Sequence, residues 1–224
     1  DHVDGHVIHA TDDFEIFGPL RSDNPHDWGL HLNGKNITFD TAGHTVLWTA
    51  GAQGSNGKTV KTGEGTLVMN PHGTTLSCAW SVDEGTLALA KNNATGSGAI
   101  TVNTGAVLEV PSSTNVALGG DLTLKNGACL GFNYTTRNPP VLNLTDRNVT
   151  FEEGESANIV VKISSSNGKR PCAGRHVLTS GGKFAEAVVS LDGNHPKWVL
   201  GVGVNDDGNI YADIKPIGTR IIVK

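Results

Sequence analysis

The sequence predicts an all-β protein, a parallel β-helix (solenoid) closed at its C-terminal end by an antiparallel meander. Three observations predict it. The first is composition: 29 glycines, 22 threonines and 19 asparagines stand among 224 residues with a single methionine, a bias toward turns and strands and away from helices. The second is alternation. Short runs such as Ile37-Thr-Phe, Ile100-Thr-Val and Leu122-Thr-Leu are bounded by Asn-Gly, Gly-Gly or Gly-Ser pairs, the chemistry of strands joined by tight turns. The third is a period. Gly43, Gly65, Gly85, Gly105 and Gly127 each open a strand-like run, at intervals of 22, 20, 20 and 22 residues, and Gly154 follows after 27.

A coil of ~21 residues at ~3.3 Å each makes a loop of roughly 70 Å, enough for two or three strands and their bends. Successive coils stack ~4.8 Å apart, so each strand pairs with its copy one turn later. Side chains alternate along a strand, which directs Leu67, Leu87, Leu89, Val107 and Leu122 inward and leaves Thr and Asn for the outside and the corners. A β-sandwich also needs many short strands and is the alternative fold, but it does not demand a fixed interval.

In chain order, residues 1–32 are less regular, carry Pro25 and Trp28, and are read as an N-terminal cap. Residues 33–164 hold the repeats. From 165 to 224 the period dissolves into runs such as Ala187-Val-Val-Ser-Leu and Asn209-Ile-Tyr-Ala-Asp-Ile, with Asp207-Gly208 as a hairpin signal. An open solenoid end templates aggregation, so this stretch is read as the C-terminal β cap of one continuous domain.

Asn36-Ile-Thr-Phe-Asp-Thr-Ala-Gly-His-Thr-Val, then Lys61-Thr-Gly-Glu-Gly-Thr-Leu-Val-Met, then Ile100-Thr-Val-Asn-Thr-Gly-Ala-Val-Leu-Glu-Val resemble, in order and spacing, the autotransporter-associated β-strand repeat. The resemblance spans roughly residues 33–132. It implies a right-handed parallel β-helix carried by a secreted or outer-membrane surface protein of a Gram-negative bacterium.

The formal net charge is −5 and the 17 basic residues are scattered, which offers no electrostatic footprint for nucleic acid. No apolar run approaches the ~18 residues of a membrane-spanning helix. The chain opens at Asp1 without Met, as expected after removal of a signal peptide or trimming from a longer precursor. Cys78, Cys129 and Cys172 match no metal or redox spacing and are read as buried small hydrophobes; one disulfide with a free thiol stays open as the other arrangement.

Several residues invite a chemical role. Asp40-Thr41-Ala42-Gly43 after an apolar strand resembles the active-site loop of aspartic peptidases, whose chemistry needs two carboxylates sharing one proton. Ala42 stands where that loop has Gly, and no second Asp-Thr/Ser-Gly occurs, so the competing reading makes Asp40 a turn cap of the repeat. His2, Asp4 and His6 alternate, with His9 nearby, and are the candidate ligands for a transition metal; a solvated terminal strand is the competing reading, and no cofactor is expected. The pairs Asp12-Asp13, Glu152-Glu153 and Asp206-Asp207 suit solvated turns better than a glycan-cleaving site, because adjacent strand residues point to opposite faces. Trp48 and Trp80 alternate with core residues, whereas Trp28, in a loop-rich segment, is the candidate sugar-stacking platform.

These observations predict a secreted or cell-surface β-helix scaffold or adhesion domain without catalysis, whose partner is a host glycan or glycoprotein. Two alternatives stay open: an aspartic-type peptidase centred on Asp40 acting on host glycoproteins such as mucin, and a polysaccharide-active β-helix enzyme.

Overall fold

The computed structural model describes residues 5–17, 29–31, 34–151, 157–168 and 170–216. The described chain winds as a parallel β-helix. A first sheet of seven strands runs from His6–His9 through Ile37–Asp40, Lys58–Thr62, Ala79–Val82, Ile100–Val102 and Leu122–Leu124 to Val149–Phe151. A second, of eight strands, runs from Phe14–Ile16 to Val188–Leu191. Every neighbour in both sheets is parallel, which separates this fold from the antiparallel sandwich. Among the described residues there is no helix long and apolar enough to cross a membrane.

Register shows the period directly. His6 pairs with Ile37, Ile37 with Thr59, Thr59 with Trp80, Trp80 with Ile100 and Ile100 with Leu122, then Leu122 with Val149, so most coils cost 20 to 22 residues. The described part of residues 1–32, read from the sequence as an irregular N-terminal cap, adds a first coil in which His6–His9, Phe14–Ile16 and Gly29–His31 are the edge strands of the three sheets.

The core is a set of stacked columns. Val46, Leu67, Leu87, Leu108 and Leu130 pair coil to coil and are all buried. Trp48 and Trp80 are fully enclosed, their indole N–H groups bonded to the carbonyls of Ala50 at 3.0 Å and Thr95 at 3.2 Å, so two large aromatics stay dry without orphaning a donor. Leu67, Leu87, Leu89 and Leu122 point inward as their alternation requires. Val107 does not. It pairs with Thr86 and Cys129 in the outward column, while Leu108 takes the core place, because this coil has one more residue between its corner glycine and the strand. A one-residue slip turns every side chain to the other face. Val107 is nevertheless buried, covered by its neighbours on the outer surface.

A third sheet lies along the remaining side in two blocks, Gly29–His31, Gly51–Gly54 and Thr74–Leu76, then Asn115–Ala117, Val141–Asn143 and Thr179–Ser180. Between the blocks, residues 91–98 form turns instead of a strand, with Asn93 (φ 52°) and Gly96 (φ 75°) in the left-handed region. Cys78 and Cys129 are buried free thiols, in keeping with small hydrophobes, but Cys172 is exposed; it lies in the irregular stretch before the cap sheet, outside the columns that enclose the other two.

An antiparallel three-stranded sheet closes the C-terminal end, with Ile210–Ile214 between Gly174–Val177 and Val199–Val204, so its strands do not pair in chain order as a meander's would. Thr179–Ser180 and Val188–Leu191 from the same stretch extend the solenoid sheets. The inner face of the cap sheet buries Val199, Ile210, Ala212 and Ile214, and Phe184 meets Phe151 of the last coil edge-on at 6.0 Å. Tyr134 fastens this cap to the solenoid. Its buried hydroxyl lies 3.1 Å from Nδ1 of His176, and its ring meets Trp198 edge-on at 5.6 Å. Burial lowers the pKa of half-buried His176 from 6.5. A folded-state value below the unfolded one means that the unfolded chain binds the proton first. Stability is therefore expected to fall as pH drops below about 6.5 and to level off below the folded pKa. Thermal melts between pH 7.5 and 4.5 should show this slope, and His176→Gln should lose it; an unchanged slope in the variant would place the acid sensitivity elsewhere.

Candidate functional site

Five of the residues singled out above, Asp40, Thr41, His9, Asp12 and Asp13, meet at the turn that leads from the first sheet to the second. Asp40 ends the strand Ile37–Asp40 and pairs in register with His9 of the coil before. The Asp40 Oδ2 lies 2.8 Å from Nδ1 of His9, and Oδ1 accepts the Ala42 amide at 3.0 Å. The hydrogen bond with His9 holds the Asp40 carboxyl below its usual value of 3.8, opposed by desolvation and helped by the Ala42 amide. Ala42 sits at φ 46°, a backbone region that costs a non-glycine residue energy, and the bond from Asp40 supports it there. Thr41 is fully buried, and its hydroxyl donates to the carbonyls of Thr62 at 3.3 Å and Gly63 at 3.2 Å in the next coil.

The mirror arrangement lies on the other side of the same turn. Asp13 Oδ1 accepts the Thr45 amide at 2.6 Å and stands 3.7 Å from Nδ1 of His44. The first coil thus gives a histidine and takes an aspartate at one position, and gives an aspartate and takes a histidine at the other. Asp12, its neighbour, accepts the Asp13 amide at 2.8 Å, so this acidic pair is turn chemistry.

Beneath the turn lies a residue whose position the strand pattern conceals. Lys61 is fully buried, in a core column between Phe39 and Val82. Its ammonium reaches the turn and donates to the carbonyls of Thr62 at 3.0 Å, Gly63 at 2.7 Å and Glu84 at 2.9 Å. Three donors meet three acceptors, the condition under which a buried ammonium is tolerated. Desolvation still pushes it down to about 8, against the attraction of Glu84 and Asp40. Glu84 Oε2 in turn accepts the Gly63 amide at 3.1 Å. In isolation Lys58-Thr-Val-Lys-Thr directs Val60 inward; register against Phe39 and Val82 overrides that and turns Thr59 and Lys61 in. Lys61-Thr-Gly occurs once in the chain, so no repetition in the sequence marks this position.

The remaining candidates scatter. His6 shares the inward face with Ile8 and lies on the opposite face from His9; His2 and Asp4 lie outside the described residues, as do Trp28 and the pair Glu152-Glu153. Among the described residues no group of three or more His, Cys, Asp or Glu side chains is placed to hold a metal ion. Asp206 and Asp207 occupy an exposed turn of the cap. Chemically, the assembled turn ties coils together: its carboxylates, hydroxyls and ammonium all bond the neighbouring coil or their own turn.

Comparison with protein-family models, with curated proteins and with solved structures gives no match for this chain.

Proposed function

We propose that this chain is a non-catalytic β-helix module of a secreted or outer-membrane surface protein, serving as scaffold and adhesion domain toward host glycans or glycoproteins. One observation carries the reading: the polar side chains that the sequence offers for chemistry serve coil-to-coil attachment. Asp40 bonds His9, Asp13 bonds Thr45, Asn126 accepts the Asn158 amide at 3.0 Å, and Asn103 reaches Asp83 at 2.6 Å. Such ladders stiffen a solenoid and leave its outer surfaces for binding. The resemblance to the autotransporter-associated repeat supports the surface location.

The peptidase alternative needs a carboxyl that shares a proton with a second one. Asp40 instead faces a histidine and a backbone amide, and its pKa is lowered. Incubation of a denatured glycoprotein with the parent and Asp40→Asn at pH 4 and pH 7 decides between them. No cleavage by either is expected; cleavage by the parent that Asp40→Asn abolishes would overturn the scaffold reading. In the same pair, a carboxyl with a depressed pKa stabilises above the unfolded value and loses that contribution as pH falls through the folded one. Asp40→Asn is therefore expected to melt earlier than the parent at pH 7, with the difference closing toward pH 3.

A further inference from the structure

The interruption of the third sheet opens a groove of about 560 Å³ on the solenoid flank. Thr75 lines it from the third coil, Asn93, Gly96 and Ser97 from the fourth, Gly119 from the turn after the fifth, and Arg147 from the turn after the sixth. At ~4.8 Å per coil these positions span roughly 15 Å along the axis, the length of about three sugar rings. The floor stays low because the chain passes close to itself there: a Cβ on Gly96 would overlap the Leu76 carbonyl, and one on Gly119 would overlap the Gly96 carbonyl.

The walls keep unused hydrogen-bonding capacity. Arg147 is anchored by Nε to the Leu118 carbonyl at 3.1 Å, and its two Nη groups make no hydrogen bond among the described residues. The Asn93 side-chain amide and the Thr75 hydroxyl likewise have no partner among the described residues. Asn93 is held at its place by its backbone, which donates to Ala117 at 2.8 Å. Donors and acceptors alternating along a shallow trench suit a polyol, and a fork of guanidinium N–H groups suits a carboxylate. Charge narrows the class further. Asp121 lies within electrostatic reach of Arg147, and no other cation lines the groove, so the local field is nearly neutral and fits one carboxylate better than a sulfate- or phosphate-dense chain.

We propose that the Thr75–Asn93–Arg147 groove binds a short stretch of an acidic polysaccharide, with Arg147 on a uronate carboxylate and Asn93 and Thr75 on ring hydroxyls. This deepens the adhesion reading and rests on it. The probe is a galacturonic acid tetramer, with a neutral maltotetraose as control, titrated calorimetrically into the whole chain and its variants. The parent should bind the acidic tetramer and not the neutral one. Arg147→Gln should weaken binding by at least ~10-fold, the size of one charge-assisted hydrogen bond. Asn93→Gly, which keeps the left-handed turn and removes only the amide, should weaken it by several-fold with an unchanged melting temperature. Binding that is equal in both variants and the parent, or a parent that ignores the tetramer while retaining other glycans on an array, overturns the groove and leaves adhesion standing. A parent that retains no glycan at all overturns both.

Discussion

Gly98→Ala is expected to cost about 4 kcal/mol or more, a large share of a domain's stability, because the new methyl has nowhere to go. Gly98 stands at the turn that leads into the first sheet, directly over the coil before, and a Cβ there would overlap the carbonyl oxygen of Cys78. The obstacle is backbone on both sides of the contact, so no rotamer relieves it; the coils would have to separate locally and give up ladder hydrogen bonds. Gly120 repeats the contact one coil later, against the Gly98 carbonyl. The control is Gly105→Ala, at a corner with φ 78° and nothing within 4 Å of the added carbon. It suffers only left-handed backbone strain, about 1 kcal/mol. Urea midpoints of the two variants should differ by several-fold in their loss. Equal losses would mean that backbone conformation, and not coil spacing, sets the need for glycine.

The second large effect concerns Lys61. Lys61→Ala removes three hydrogen bonds and leaves a cavity between Phe39 and Val82, with an expected cost of about 3 kcal/mol. Lys61→Met fills the space and should lose less. The pH dependence carries the sharper sign. The folded ammonium titrates at about 8 and the unfolded one near 10.5, so between these values the unfolded chain holds more protons. Stability from this group therefore rises with pH across that window, by at most roughly 3 to 4 kcal/mol, at about 1.36 kcal/mol per pKa unit. Denaturant unfolding of the parent and Lys61→Met at pH 7.5, 9 and 10.5 should show the difference moving in favour of the parent. A difference that is flat with pH would show that the three carbonyls keep the ammonium as stable as water does.

The fold was legible because its determinants are local and repeated. Alternation at Leu67, Leu87 and Leu122 and the recurrence of Gly85, Gly105 and Gly127 each state a strand or a corner within a few residues, and repetition multiplies a signal that one copy leaves ambiguous. Trp48 and Trp80 could be placed in the core for the same reason. Val107 was not legible, since its face depends on one additional residue at a corner and becomes definite only when the next coil sets the register. Asp40 and Thr41 stood out as a motif, yet the partners that define their role, His9 at 31 residues and Gly63 at 22, come from other coils.

The sequence alone determined the all-β parallel solenoid and its period, which follow from side-chain alternation and turn chemistry over short stretches. The tertiary structure decided what each polar residue does. Whether Lys61 lies in water or in the core, whether Asp40 meets a second carboxyl or a histidine, and whether Arg147 borders a groove depend on which residues stacking brings together at 4.8 Å spacing. That pairing is a property of register between coils, and register is settled by the whole stack at once.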